Sequence, residues 1–343
     1  MTEMRVWLGK PGYFKSECLR LIELLRSLVD SNSSIALENG DKAGFQWILD
    51  PVLTMHPSEG PGKGVSLFTS GTTGTPKPIF RNWMDALDKR KGSGSIKDKW
   101  LLTFSPTRWA GLSVIAHCLK HDSEVVVPDG LTSEDISNSL EQCTHIALTP
   151  SFFRKLQISR SAIHSKKIRQ VTFGGEPCSQ STIDSAQMVW PCARISHIYA
   201  AAEFGDLVCA SDGKEGFPNL PGQVGQDGEL IINGCRTGDI WQQVNHRWYF
   251  RGRANEVVNV GGAKVHLYEV EQVLARIHGI LECRVFAATS PLVGQLLCAE
   301  YVGIISERDL TLLLRGLLPK YAVPKLNKVE SIQLTEAGKV RRV

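Results

Sequence analysis

Val65-Ser66-Leu67-Phe68-Thr69-Ser70-Gly71-Thr72-Thr73-Gly74-Thr75-Pro76-Lys77 joins a short apolar run to a loop of hydroxyls and glycines that a lysine closes. The apolar residues read as a strand, and the loop leaves its end, where α/β proteins bind ligands. Glycines allow close backbone approach, while amide groups, hydroxyls and one ammonium all donate to phosphate oxygens. Thr69, Ser70, Gly71, Thr72, Thr73, Gly74 and Lys77 are therefore candidate ligands for a polyphosphate, with a turn expected at residues 76–78. A kinase-type phosphate loop needs Lys directly after the last Gly and a hydroxyl after that. Here Thr75 and Pro76 intervene and Pro78 follows Lys77, so that type is excluded.

Working outward, the sequence alternates between strand-like and helix-like segments. Strands are expected at residues 100–104, 124–127, 145–148, 169–173 and 194–199; helices are expected at 18–29, 111–120, 133–142, 150–156 and 179–189. Such alternation predicts α/β layering with largely parallel strands. From about residue 228 the texture changes to short strands bounded by turns, at 229–232 and 248–250. Beyond Arg253 the order becomes strand, helix (267–277), strand (281–288), strand (296–302), helix (307–318). The expected fold is α/β: a layered large N-terminal domain of mixed sheets and helices over residues 1–252, and a small α+β C-terminal domain over 253–343.

The composition sets outer limits. With 343 residues the chain is long enough for two domains, and 39 Lys+Arg against 35 Asp+Glu leaves a formal charge of only +4. No aromatic-interleaved basic stripe points to nucleic acid; the cluster at 89–99, KRKGSGSIKDK, reads as a solvated loop. Nine cysteines make no C-x-x-C pair and no metal-type spacing, which suits reduced thiols in a cytoplasmic protein. No apolar run approaches membrane-spanning length, and residues 19–29 read as an amphipathic helix and not as a leader.

The phosphate loop resembles the signature of the AMP-forming adenylate synthetase superfamily: acyl- and aryl-CoA synthetases, peptide-synthetase adenylation domains and luciferases. Further segments resemble that family in order. Phe173-Gly174-Gly175-Glu176-Pro177 stands where its adenine-binding turn stands, and Tyr199-Ala200-Ala201-Ala202-Glu203 where it has Y-G-x-T-E. The resemblance implies that Gly174, Gly175 and Glu176 lie against adenine, that Tyr199 stacks on it, and that Glu203 holds magnesium. It also implies that Asp239, in Arg236-Thr237-Gly238-Asp239, accepts the ribose hydroxyls and that Arg253 reaches ribose or phosphate. Asn255 takes the hinge position, and Gly261 and Gly262 a loop beside the thiol's pantetheine arm. In Gly338-Lys339, Lys339 corresponds to the lysine that bridges the substrate carboxylate and the α-phosphate.

Residues 104–113 resemble the segment lining the acid site, with Arg108 facing an anionic group and Trp109 forming a flat wall. The implied catalytic set is Lys339, Glu203 and Lys77; the implied cofactors are ATP, Mg and coenzyme A, or the phosphopantetheine of a carrier protein. The expected activity forms an acyl- or aryl-adenylate with release of pyrophosphate and then transfers the acyl group to a thiol. The partners implied are a small carboxylic acid and a carrier protein, with a dimer left open. The alternatives are an adenylating ligase that loads a carrier protein or feeds a reductase, and a catalytically weak AMP-binding homologue. The departures are Ala200 and Ala202, which replace the family's Gly and Thr, and the 68 residues before Thr69, fewer than the family usually has. Losing a preorganised donor to the transition state costs roughly 3 kcal/mol, and Ala202 together with the few residues before Thr69 motivates the weak-homologue alternative.

Overall fold

The computed structural model describes residues 13–30, 35–40, 44–48, 64–69, 77–82, 94–106, 108–159, 163–290 and 294–332. The chain divides into two compact units, Met1–Lys214 and Glu215–Val343.

In the first unit, helix α1 (Tyr13–Asp30) precedes a sheet of order β2-β1-β3-β4, built from β1 (Ile35–Gly40), β2 (Gly44–Ile48), β3 (Gly64–Thr69) and β4 (Lys77–Asn82). β3 and β4 pair antiparallel from Gly64↔Asn82 to Thr69↔Lys77, so the candidate phosphate loop closes a hairpin. The expected turn at 76–78 is thus replaced from Lys77 onward by strand, with Pro78 opposite Phe68. The described strands leave β4 at a sheet edge, the position in which a strand tolerates proline.

The second sheet runs β10-β9-β8-β7-β5-β6. Its strands are β5 (Lys99–Leu102), β6 (Glu124–Val126), β7 (His145–Leu148), β8 (Gln170–Phe173), β9 (Arg194–Ala201) and β10 (Gly205–Ala210). All neighbours are parallel except β9 and β10, as the alternating sequence led us to expect. The crossovers carry α2 (Trp109–His121), α3 (Ser133–Leu140), α4 (Pro150–Ile158) and α5 (Gln180–Val189). Polar caps start three of them: Thr132, Thr149 and Ser179 each accept an amide three residues on, which satisfies donors the helix leaves open.

Alternation along the strands covers the sheet on both faces. Leu102 and Ala147 join α1 and α2 through Leu21, Leu25, Leu112 and Ile115, whereas Leu101, Ile146 and Leu148 join α3, α4 and α5 through Ile136, Phe153 and Ile183. Each such leucine, isoleucine or phenylalanine, fully buried, contributes about 1.5–3 kcal/mol.

The second unit holds the antiparallel sheet β11-β12-β13-β14, formed by β11 (Gln223–Val224), β12 (Glu229–Ile232), β13 (Cys235–Val244) and β14 (Arg247–Arg253). Its other sheet, β16-β15-β18-β17 with β19 beside β18, contains β15 (Val257–Val260), β16 (Ala263–His266), β17 (Ile280–Ser290), β18 (Gly294–Gly303) and β19 (Lys325–Lys328). Helices α6 (Leu267–Ala275) and α7 (Glu307–Leu317) pack there around Val270, Leu274, Tyr301, Leu310 and Leu314.

Candidate active site

Three of the expected segments leave the carboxyl ends of parallel strands in the first unit. The Arg108-Trp109 segment follows β5, Gly174-Gly175-Glu176 follows β8, and Glu203 follows β9. The strand order turns back on itself at β5, whose neighbours β6 and β7 both come later in the chain, and ligand crevices form outside strand ends at such a point.

The Gly174-Gly175 turn has φ +80° at Gly175, a conformation that favours glycine. Glu176 is committed locally: its Oε2 accepts the Ser151 amide at 2.9 Å, in the first turn of α4, where a carboxylate suits the helix dipole.

Tyr199 is half-buried on β9, paired with Val208, and Glu203 is exposed in the β9–β10 turn. That turn is tied at both ends by residues remote in sequence. Arg81, 8 % exposed on β4, donates from Nε to the Ala202 carbonyl at 3.0 Å. Trp109 donates from Nε1 to Asp206 Oδ1 at 2.9 Å, and the Arg81 guanidinium carbon lies 5.2 Å from the centre of the Trp109 ring. Trp109, expected as a flat wall of the acid pocket, is buried, with its face and its N–H committed to Arg81 and Asp206. Arg108 is the half-buried N-cap of α2. Arg81 was missed by sequence reasoning. The signal for it is slight: a lone arginine after an apolar pair, Ile79-Phe80, on the strand leaving the phosphate loop.

In the second unit, Thr237-Gly238-Asp239 lies within β13, where the register with β12 shifts, and Gly238 has φ +76°. Glu229, buried on β12, accepts the Gly238 amide at 2.7 Å and pairs with Arg236, which also pairs with Asp227. Those two carboxylates hold the Arg236 guanidinium above its ordinary pKa, and Arg236 in turn holds the Asp227 carboxyl below its own. Asp239 is buried opposite Arg253 in the β13–β14 register, with Arg253 Nε 3.1 Å from Asp239 Oδ1. Asn255 is exposed in the short 3₁₀ turn Ala254–Glu256. Gly261 and Gly262, at φ +59° and +90°, form the exposed tip of the β15–β16 hairpin.

The described residues reach Thr69 and Lys77 only as the backbone pair that ends the β3–β4 hairpin. Ser70, Gly71, Thr72, Thr73, Gly74 and Lys339 lie outside the described residues. Among those described, no three His, Cys, Asp or Glu side chains gather to hold a metal alone. A single exposed carboxylate such as Glu203 fits a magnesium ion that takes its remaining ligands from phosphate and water.

A doubly covered parallel sheet that presents the Trp109, Gly174-Gly175 and Glu203 segments on its carboxyl edge has the layout of an α/β ligand-binding domain. Residues 64–234 match the AMP-binding enzyme family, and the chain belongs to it. A 2-succinylbenzoate–CoA ligase of Listeria monocytogenes serotype 4b (strain F2365) is 24 % identical over 318 residues, covering 80 % of this chain and 68 % of the relative. A 3,4-dihydroxybenzoate–[aryl-carrier protein] ligase of Bacillus anthracis is 31 % identical over 107 residues, 31 % of this chain and 26 % of the relative. The structure of the O-succinylbenzoate coenzyme A synthetase of Bacillus subtilis with ATP and magnesium superposes with a TM-score of 0.64 at 19 % identity. That superposition covers 80 % of this chain and 67 % of the synthetase. The matched region thus spans about two thirds of the Listeria ligase and of the Bacillus subtilis synthetase. Among the described residues no helix is long and apolar enough to cross a membrane.

Proposed function

We propose that this protein activates a small carboxylic acid as its adenylate, with release of pyrophosphate from ATP, and passes the acyl group to the thiol of coenzyme A in the cytoplasm. The observation that carries the proposal is the meeting of the Trp109, Gly174-Gly175 and Glu203 segments on one edge of the parallel sheet, in the order of the family's motifs.

A carboxylate is a poor electrophile, so its oxygen first attacks the α-phosphorus, and pyrophosphate leaves with the electrons of the broken P–O bond. The thiol then attacks the acyl carbonyl and expels AMP. Bound with ATP, magnesium supplies a divalent charge that offsets the phosphate oxygens, and Glu203 is the residue that would hold it. Gly174, Gly175 and Tyr199 are assigned to adenine, Asp239 and Arg253 to ribose, and Arg108 to the acid. The loop from Thr69 to Gly74, with Lys77, is assigned to the phosphates. Lys339 is assigned to the reacting carboxylate, and preorganised cations at this step account for factors of about 10²–10³ in rate. Rotation of the C-terminal domain about Asn255 would exchange Lys339 for the Gly261-Gly262 turn before the thiol step; such motions often set turnover.

The local match to an aryl-carrier protein ligase favours a second acceptor, the phosphopantetheine thiol of a carrier protein. Acid-dependent exchange of labelled pyrophosphate into ATP, over a panel of aromatic and fatty acids, tests the first step. Absence of exchange with every acid, from folded protein that binds ATP, would refute the proposal. Where exchange occurs, thioester formation with coenzyme A or with a holo carrier protein identifies the acceptor. Lys339→Ala should lower exchange about 10²-fold or more while sparing thioester formation from supplied acyl-adenylate.

A further inference from the structure

We infer that Arg81 is a positioning residue for magnesium-bound ATP, acting through the turn that carries Glu203. This inference rests on the assignment of Glu203 to the metal.

The β9–β10 turn has two anchors outside its own strands, and both belong to one contact pair. Arg81 holds the Ala202 carbonyl, one residue before Glu203. Trp109, whose ring the guanidinium overlies, holds the carboxylate of Asp206, three residues after it. The space between is closed: at Gly205, φ +81°, a Cβ would lie 3.3 Å from both Arg81 Nη2 and Trp109 Cζ2. Within the turn, the Phe204 amide donates to the Ala201 carbonyl at 3.1 Å. The Glu203 carboxylate therefore stands on a backbone that Arg81 and Trp109 fix in position.

Arg81 has a second consequence through its own strand. β4 begins at Lys77, where the phosphate loop ends, and Arg81 lies four residues further on. One side chain thus joins β4, the strand that starts at Lys77, to the turn that carries Glu203. A residue behind a metal ligand typically changes metal affinity by about 10–100-fold when removed.

The test is the gain in ATP affinity that magnesium produces, measured by calorimetry on the full chain as magnesium is titrated. Arg81→Met should raise the magnesium concentration for half of that gain about tenfold. Trp109→Phe, which keeps an aromatic ring near Arg81 but loses the indole N–H and part of the ring system, should shift it the same way by less. Arg81→Lys, which keeps the charge and loses the planar fork, should recover little. In a Glu203→Gln background, where the carboxylate is gone, Arg81→Met should add nothing, whereas a merely structural arginine would cost the same in both backgrounds. An unchanged magnesium midpoint in Arg81→Met, or an equal shift in both backgrounds, overturns the inference. Should Arg81→Met fail to fold, Trp109→Phe decides by the same midpoint, unchanged meaning overturned. Pyrophosphate exchange by the unmodified protein separates this outcome from failure of the adenylation reading: exchange without the Arg81 effect removes only the inference, and no magnesium-dependent ATP binding removes both.

Discussion

The turn bearing Glu203 and the irregular stretch of β13 bearing Asp239 are held in opposite ways. Thr237-Gly238-Asp239 is fixed by neighbours: Glu229, nine residues before Gly238, takes its amide, and Thr237 Oγ1 donates to Leu230 and accepts the Asp239 amide at 3.2 Å. The Glu203 turn is fixed from a distance, by Arg81 across 121 residues of sequence and by the Trp109–Asp206 bond across 97. The first needs only one hairpin to form; the second exists only once two sheets and α2 are in place. Local closure costs little chain entropy, and remote closure must be repaid by packing.

The contrast breaks first, and with the largest effect, at Gly111. A Cβ there would lie 2.1 Å from the Ser105 carbonyl oxygen, in the first turn of the helix that begins at Trp109. Gly111→Ala should cost about 3 kcal/mol by overpacking and loosen the Glu203 turn with it. Denaturant melts and the magnesium midpoint should therefore move together; movement of one alone would contradict the remote brace.

Glu229→Ala should cost about 2 kcal/mol, since a buried acceptor of a charge-assisted bond is removed, and its denaturant midpoint reports this. The magnesium midpoint should stay unchanged, because Glu229 holds the β12–β13 hairpin and not the Glu203 turn. Glu176→Ala is a smaller break, about 1 kcal/mol, from loss of the carboxylate at the start of α4.

A third remote link sharpens the comparison by pH. His145 Nε2 lies 3.8 Å from Asp98, but Arg169 already pairs with that carboxylate at 2.8 Å. Burial, more than the Asp98 attraction can offset and with Arg169 adding to it, pushes the His145 pKa below its ordinary value. The folded state thus favours the neutral ring, and unfolding lets it take up a proton. This contribution is full above about pH 6.5 and is lost as pH falls from there through the lowered folded pKa. The stability of His145→Gln should accordingly fall less than that of the unmodified protein between about pH 7 and pH 5.5. The smallest readout is chemical: burial pushes the Cys143 thiol up to about 12, so alkylation at neutral pH should reach exposed Cys192 and Cys235 and leave Cys143 intact in folded protein.

The same division governs what the sequence revealed. Strands at 145–148 and 229–232 and the crossover helices were legible because apolar periodicity and capping residues are local signals. Asp239 was reached through the resemblance of Arg236-Thr237-Gly238-Asp239 to a family motif, which is itself local in sequence. β1 and β2 were not, and β4 was taken in part for a turn because Pro76 and Pro78 are turn residues where no edge strand is known. β13 was hidden by Gly238 and its polar run. The Arg81–Trp109 pairing was not legible: Trp109 was read as a pocket wall and Arg81 gave only a slight signal, because a brace formed by two remote segments has no spacing to read.

Pro78 on β4 has one more consequence. A bare sheet rim is a template on which a second chain can add a strand, and chains that leave one long and flat risk precipitation. Among the described strands β4 is such a rim, and the proline on it has no amide hydrogen to offer an incoming backbone. The residue that obscured the strand in the sequence also makes it a poor seed for self-association.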